Sequence, residues 1–198
     1  MRKTFIISVI FLLLTSCVTT RQINTSDACD IFKAYPQWLI ITEKTKEKWG
    51  VPVTLQLAFI KQESSFQKNA KPPRNKLLGV IPGKRMSSAY GYSQALDGTW
   101  EDYKSSTGNY GASRKSFRDA SDFIGWYVDG SYRLLKLPKN DVLNHYLAYH
   151  EGRGGFQKKT YNKKKWLLNV AKKVQNQAAI YTKQIKSCKL SKNKNSVL

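Results

Sequence analysis

Acidic residues are scarce in this chain. Its 198 residues hold 13 Asp and Glu against 34 Lys and Arg, a formal charge of +21. The last acid is Glu151, and the 13 basic residues between Gly152 and Leu198 have no carboxylate among them. A field of that sign disfavours cationic partners and attracts nucleic acid, an anionic membrane or an acidic polymer. Histidine occurs only at positions 145 and 150, and the three cysteines stand far apart at 17, 29 and 188. No Cys–His group has ligand spacing, so neither a metal site nor a cofactor is expected. The longest apolar run, Phe5 to Leu14, is well short of the roughly 20 residues that span a bilayer as a helix. Sustained strand alternation and internal repeats are also missing, which leaves an all-α architecture with at most a small β element.

The chain opens with MRKTFIISVIFLLLTSC. Arg2 and Lys3, a short apolar stretch and then small residues form a secretory signal over residues 1–16. Its end, Leu14-Thr15-Ser16-Cys17, resembles the lipobox of bacterial lipoproteins, which implies that Cys17 is acylated and becomes the first mature residue. Val18 follows it and not the Asp that marks inner-membrane retention, so the implied location is the outer membrane, lipid-anchored and facing the periplasm. An exported, anchored chain is not expected to bind nucleic acid; its anionic partner would be an envelope polymer or lipid headgroups. With Cys17 lipidated, Cys29 and Cys188 remain near the two ends of the mature domain. In an oxidising compartment they are expected to form a disulfide, the alternative being two free thiols.

Residues 17–29 are mostly polar and aperiodic and read as a lipidated tether. The domain is drawn over 30–188, with a basic tail at 189–198. Helical spacing begins at Asp30, is interrupted by Pro36 and stops at Gly50. Pro52 suits the first turn of the next helix, which runs to about Glu63. Residues 67–90 hold Pro72, Pro73, Gly79, Pro82 and Gly83, too many breakers for a long helix, and read as a loop with a short hairpin around Leu77–Ile81. Helical spacing returns in YGYSQALDGTWEDYKSSTG through Tyr92, Leu96, Trp100 and Tyr103. A clear amphipathic helix covers Phe117 to Leu134. Another starts at a capping Asn140 and stops near Gly152. The last carries the stripe Leu167, Val170, Val174, Ala178, Tyr181 and Ile185.

In LAFIKQESSF, residues 57–66, a carboxylate ends an apolar helix. Beside Phe59 and Ile60 the carboxyl of Glu63 would be desolvated and its pKa raised, which suits a proton donor for glycosidic cleavage. Spacing alone leaves open a solvated helix-end residue. GYSQALDGT at 91–99 and AYHEGRG at 148–154 complete a set. Together with ESSF, these segments resemble, in order, the three motifs of the soluble lytic transglycosylase (SLT) family of the lysozyme superfamily, over roughly residues 45–155. The second motif is met by Gly91, Gln94, Gly98 and Thr99, and the third by Ala148, Tyr149, Gly152 and Gly154.

The resemblance implies a lysozyme-like fold and a peptidoglycan lytic transglycosylase that cleaves β-1,4 MurNAc–GlcNAc bonds and leaves 1,6-anhydroMurNAc ends. Glu63 would be the single acid and base, Ser64 would lie beside it and help orient substrate, Gln94 would bond a sugar, and Tyr149 would bring its hydroxyl near Glu63. Ser93, Asp97, His150 and Glu151 depart from the family pattern. Asp97 or Glu151 as a second cleft carboxylate would permit a hydrolytic muramidase instead. A non-catalytic peptidoglycan-binding lipoprotein is the reading outside enzymes. Lys158, Lys159, Lys163, Lys164 and Lys165 could hold a glycan strand or form a solvated face, and Trp100, Trp126 and Tyr132 read as cleft aromatics or as core.

Overall fold

The computed structural model describes residues 23–77 and 81–188. The expected signal peptide, Cys17, the first part of the expected tether and the expected tail lie outside the described residues. Seven helices surround one core: α1 (Ala28–Ala34), α2 (Pro36–Trp49), α3 (Val53–Ser64), α4 (Asp97–Thr107), α5 (Phe117–Leu135), α6 (Val142–Gln157) and α7 (Lys165–Ser187). Between α3 and α4 runs an antiparallel hairpin of β1 (Arg74–Leu77) and β2 (Ile81–Arg85), with Leu77 opposite Ile81. A 3₁₀ turn at Thr160–Lys163 leads into α7. The expected all-α class with a small β element is the one observed, and no helix among the described residues is long and apolar enough to cross a membrane.

Local chemistry sets the helix ends. Asp27 caps α1 by accepting from the Cys29 amide at 2.8 Å. Pro36 starts α2, and Gly50, in the left-handed region, closes it. Ser116 caps α5 and Asp141 caps α6 through the Asn144 amide at 3.1 Å. The sequence had pointed to Asn140 for that second cap. An Asp carboxylate one residue on reaches the third amide of the helix, which is the geometry a cap requires.

Helix α3 is the hub. Leu55, Gln56, Leu57, Ala58, Phe59 and Ile60 are all buried in succession, so the helix is enclosed on every side rather than along one stripe. It packs on α2, α5 and α7. The polar member of that run is fully satisfied. The Gln56 amide donates to the carbonyls of Thr42 (3.1 Å) and Val51 (2.9 Å) and accepts from Ser121 Oγ at 2.7 Å, and Ser121 in turn shares a 3.0 Å bond with Thr45. This network pins α2, α3 and α5 in one register, because a half-satisfied buried amide would be costly. Asp122 performs the same service for α2, α4 and α5: it accepts from Trp49 Nε1 and from the Tyr103 hydroxyl, each at 2.7 Å.

One expectation needs correction. Residues 91–96 are not helical. Gly91 (φ 74) and Gln94 (φ 49) are left-handed, Tyr90 and Ala95 form an isolated bridge, and α4 starts only at Asp97. The apparent period through Tyr92 and Leu96 arises because Tyr92 is buried for another reason, edge-on to Trp38, while Leu96 is exposed. The residues just before Asp30 make contacts with the helices. Ala28 N–H donates to Gln184 at 2.9 Å and Lys61 Nζ donates to Ser26 Oγ at 2.6 Å, so residues before Asp30 are already held by α7 and α3.

Cys29 and Cys188 are bonded, with Cα atoms 5.9 Å apart and a sequence separation of 159. The bridge ties α1 to the end of α7. Closing so long a loop restricts the unfolded chain by about 4–5 kcal/mol as an upper figure. The double change Cys29→Ser with Cys188→Ser should lower the urea midpoint strongly without altering the helical circular dichroism. Non-reducing peptide mapping should recover the linked peptides, and two free thiols would refute the bridge.

Candidate active site

Glu63 occupies the last turn of α3. The chain then reverses through two consecutive non-glycine residues in the left-handed region, Ser65 (φ 50) and Phe66 (φ 62). Such a conformation costs on the order of 1–3 kcal/mol per residue and persists only where surroundings hold it. Here the Phe66 ring stacks on Trp38 with centroids 5.6 Å apart, and Trp38 also stacks on Phe117 at 3.9 Å and meets Tyr92 edge-on at 5.9 Å. One indole thus secures the segment after Glu63 and the loop that carries Gln94.

That loop is shaped by Gly91. Its φ of 74° favours glycine, and a Cβ there would strike the Arg114 carbonyl. Three residues on, the Gln94 side chain donates from Nε2 to the carbonyls of Ala70 (2.9 Å) and Gly91 (2.8 Å). Both partners are acceptors, so the amide is oriented and Oε1 is left to accept from a ligand hydroxyl or amide. The third segment arrives on α6. Tyr149 donates to the Ser93 carbonyl at 2.7 Å and so latches α6 to the loop, while its ring meets Phe59 edge-on at 5.3 Å. Gly152 (φ 74, ψ 157) interrupts the helical course of α6 with a kink, three residues beyond Tyr149.

Around Glu63 the environment is apolar but not sealed: the residue remains partly exposed. Desolvation raises its pKa from the model-compound value of 4.5 to about 7, against an opposing hydrogen bond from Tyr146. The partial negative charge of the α3 C-terminus also disfavours the carboxylate. Tyr146 and Tyr149 are themselves held protonated by burial and by the field of Glu63. The charges acting on Glu63 include no second carboxylate among the described residues. The site can therefore hold a proton near neutral pH, release it to a basic oxygen and take one back.

The other predicted residues fall as follows. Ser64 is buried and its hydroxyl donates to the Ile60 carbonyl at 3.0 Å, so its proton is committed to the helix. Asp97 is exposed at the start of α4 and pairs with Arg114 at 2.7 Å. Glu151 is neither a solvated helix-end charge nor a proton donor. Its side chain is only 4% exposed, and it accepts from Lys164 (2.8 and 3.0 Å), Thr160 and His150. Desolvation would raise its pKa, but these donors together hold it down at about 2. Lys164 is thus an ion-pair partner, while Lys158, Lys159, Lys163 and Lys165 are exposed. Trp100 belongs to the core, Trp126 lies under the Arg153 guanidinium, and Tyr132 is exposed. Sequence reasoning missed Tyr146. Its signal was the three-residue spacing from Tyr149, which puts both rings on one face of α6 against Phe59.

An enclosed helix ending in a desolvated glutamate, followed by a hairpin and backed by a tyrosine-bearing helix, defines a helical lysozyme-like domain. The family described as Transglycosylase SLT domain matches residues 5–188, and the chain belongs to it. No curated protein matches the chain.

Folding takes up a proton at Glu63. Below about pH 4.5 the carboxyl is neutral in both states; from there to about pH 7 only the folded state keeps the proton, so stability falls as pH rises through that window. Glu63→Gln removes this slope. Urea unfolding should show the variant gaining stability relative to the parent between pH 4 and pH 8; parallel pH profiles would mean that Glu63 is not desolvated.

Proposed function

We propose that this protein is a peptidoglycan lytic transglycosylase that cleaves β-1,4 MurNAc–GlcNAc bonds with Glu63 as its single catalytic acid and base. Membership of the transglycosylase SLT family supports the enzyme class and the glycan substrate. The observation that carries the finer reading is the Glu63 carboxyl: desolvated, with its pKa near 7 and no second carboxylate acting on it.

The protonated carboxyl donates to the bridging oxygen, and the C1–O bond of MurNAc breaks as the GlcNAc hydroxyl leaves. The carboxylate then removes the proton from the muramic 6-hydroxyl, and O6 closes on C1. Glu63 ends protonated, water is not consumed, and the product is a 1,6-anhydro ring. A water nucleophile would ordinarily call for a second carboxylate. Asp97 is bound by Arg114 on an exposed helix end, and Glu151 is tied up by Lys164, Thr160 and His150. Tyr146 supplies the hydrogen bond that steadies the ionised intermediate stage of Glu63. Gln94 Oε1 is the acceptor available to position a sugar, and Tyr149 holds the two walls together.

Glu63→Gln should reduce turnover of purified peptidoglycan by roughly 10²–10⁴-fold, the usual worth of positioned acid–base catalysis. Asp97→Asn should stay active. Mass analysis should find products one water lighter than reducing muropeptides; reducing MurNAc ends would make the enzyme a hydrolytic muramidase, and glycan binding without turnover would make it a binding lipoprotein.

The N-terminal sequence supports an address for this reaction, with lipid on Cys17 and the domain facing the periplasm from the outer membrane. Cys17→Ser should then leave unprocessed or unanchored protein. Normal co-fractionation with outer membrane after that change would overturn the lipidation site.

A further inference from the structure

The segment after Glu63 and the loop bearing Gln94 meet at Ala70, whose carbonyl accepts from the Gly91 amide at 2.9 Å and from Gln94 Nε2 at 2.9 Å. Immediately beside this junction three cations converge on one aromatic ring. Lys71 Nζ, Arg114 Cζ and Lys115 Nζ lie 5.1, 5.5 and 6.0 Å from the Tyr90 centroid. The ring is oriented by its own hydroxyl, which donates to Asn69 Oδ1 at 3.3 Å.

The three cations are not equivalent. Arg114 is built into the fold: Nη1 donates to the Ser88 and Ala95 carbonyls at 3.1 and 2.9 Å, and Nη2 pairs with Asp97. Lys71 and Lys115 are exposed, and neither has a carboxylate within ion-pair distance among the described residues. Tyr90 offsets part of their mutual repulsion through its ring quadrupole, but an exposed cation–aromatic contact is weak. An anion bound beside the ring would offset that repulsion further.

We propose that Lys71 and Lys115, gathered around Tyr90, form a subsite for the carboxylates of the stem peptides that hang from the glycan strand. This rests on the reading of the protein as a peptidoglycan-cleaving enzyme. The sugar backbone of such a strand is largely uncharged where its lactyl groups are amide-linked to peptide. Its negative charge lies on the peptides, which project sideways from the sugars. Tyr90 is followed directly by Gly91, and Lys71 directly follows Ala70, so the cations flank the anchored Gln94 that would hold a sugar. A strand seated along Gln94 therefore presents its peptide to this cluster, and the subsite distinguishes peptide-bearing from denuded strands.

The test is binding, not turnover. Sedimentation or calorimetry would compare peptidoglycan strands carrying stem peptides with the same strands stripped by an amidase, for the parent, for Lys71→Gln with Lys115→Gln, and for a control pair Lys172→Gln with Lys183→Gln on α7. The parent should prefer peptide-bearing strands by roughly 2- to 10-fold, the range that two exposed charge pairs supply, and the preference should fade in 1 M salt. The Lys71/Lys115 variant should lose that preference while binding stripped strands as before; the control pair should keep it. The proposal is overturned if the parent shows no preference or no binding, if the variant retains the preference, or if the control pair abolishes it equally. It is overturned as well if the two lysines govern only retention on anionic phospholipid vesicles, which would assign the patch to lipid. Failure of the enzymatic reading appears separately, as an active Glu63→Gln.

Discussion

The carboxyl of Glu63 sits at the end of a helix whose residues 55–60 are buried in succession, and burial raises its pKa. This desolvation of Glu63 is the constraint on which the rest of the structure depends. It requires α3 to be the hub, because a surface helix would leave the carboxyl hydrated and ionised. It requires the polar Gln56, deep in the same helix, to be satisfied completely by Thr42, Val51 and Ser121. It also requires Tyr146 and Tyr149 to meet the carboxyl with neutral hydroxyl-bearing rings and not with cations, since a nearby positive charge would return the pKa to the ordinary carboxylate range. In a chain of net charge +21 that last condition is demanding.

Backbone strain is concentrated where this constraint meets the ligand. Of the five non-glycine residues with positive φ among those described, Ser65 and Phe66 follow Glu63 closely in the chain, and Gln94 lies in the loop that Tyr149 of α6 holds through Ser93. Two of the three are held by tertiary or side-chain contacts: Phe66 by Trp38, and Gln94 by two carbonyls. The disulfide between Cys29 and Cys188 and the bond from the Ala28 amide to Gln184 tie the N-terminal segment to α7, and Lys61 of α3 donates to Ser26 in the same segment.

The carboxylates are separated by role through their neighbours. Glu63 has neutral surroundings and keeps its proton to about pH 7; Glu151 has Lys164, Thr160 and His150 and is ionised down to about pH 2. Burial acts on both in the same direction, and the donors around Glu151 outweigh it. Departure from the family pattern at Glu151 therefore builds an ion pair between α6 and the turn that precedes α7, and does not by itself build a second acid.

The linear sequence determined the helical class and most helix ends, because those depend on neighbours within a turn: apolar spacing, Pro36 and Gly50; local spacing left Glu63 open between a solvated helix end and a desolvated acid. Motif order supplied Gln94 and Tyr149. It misread residues 91–96 as helix, since an apolar period of three or four can come from separate tertiary contacts, such as Tyr92 against Trp38. Tertiary structure alone decided what each polar group touches. Ser64 turns its proton to Ile60, Glu151 meets Lys164, Tyr146 joins Glu63, and Lys71 and Lys115 gather on Tyr90. Those outcomes rest on partners tens of residues away or on side-chain direction, and neither is written in local spacing.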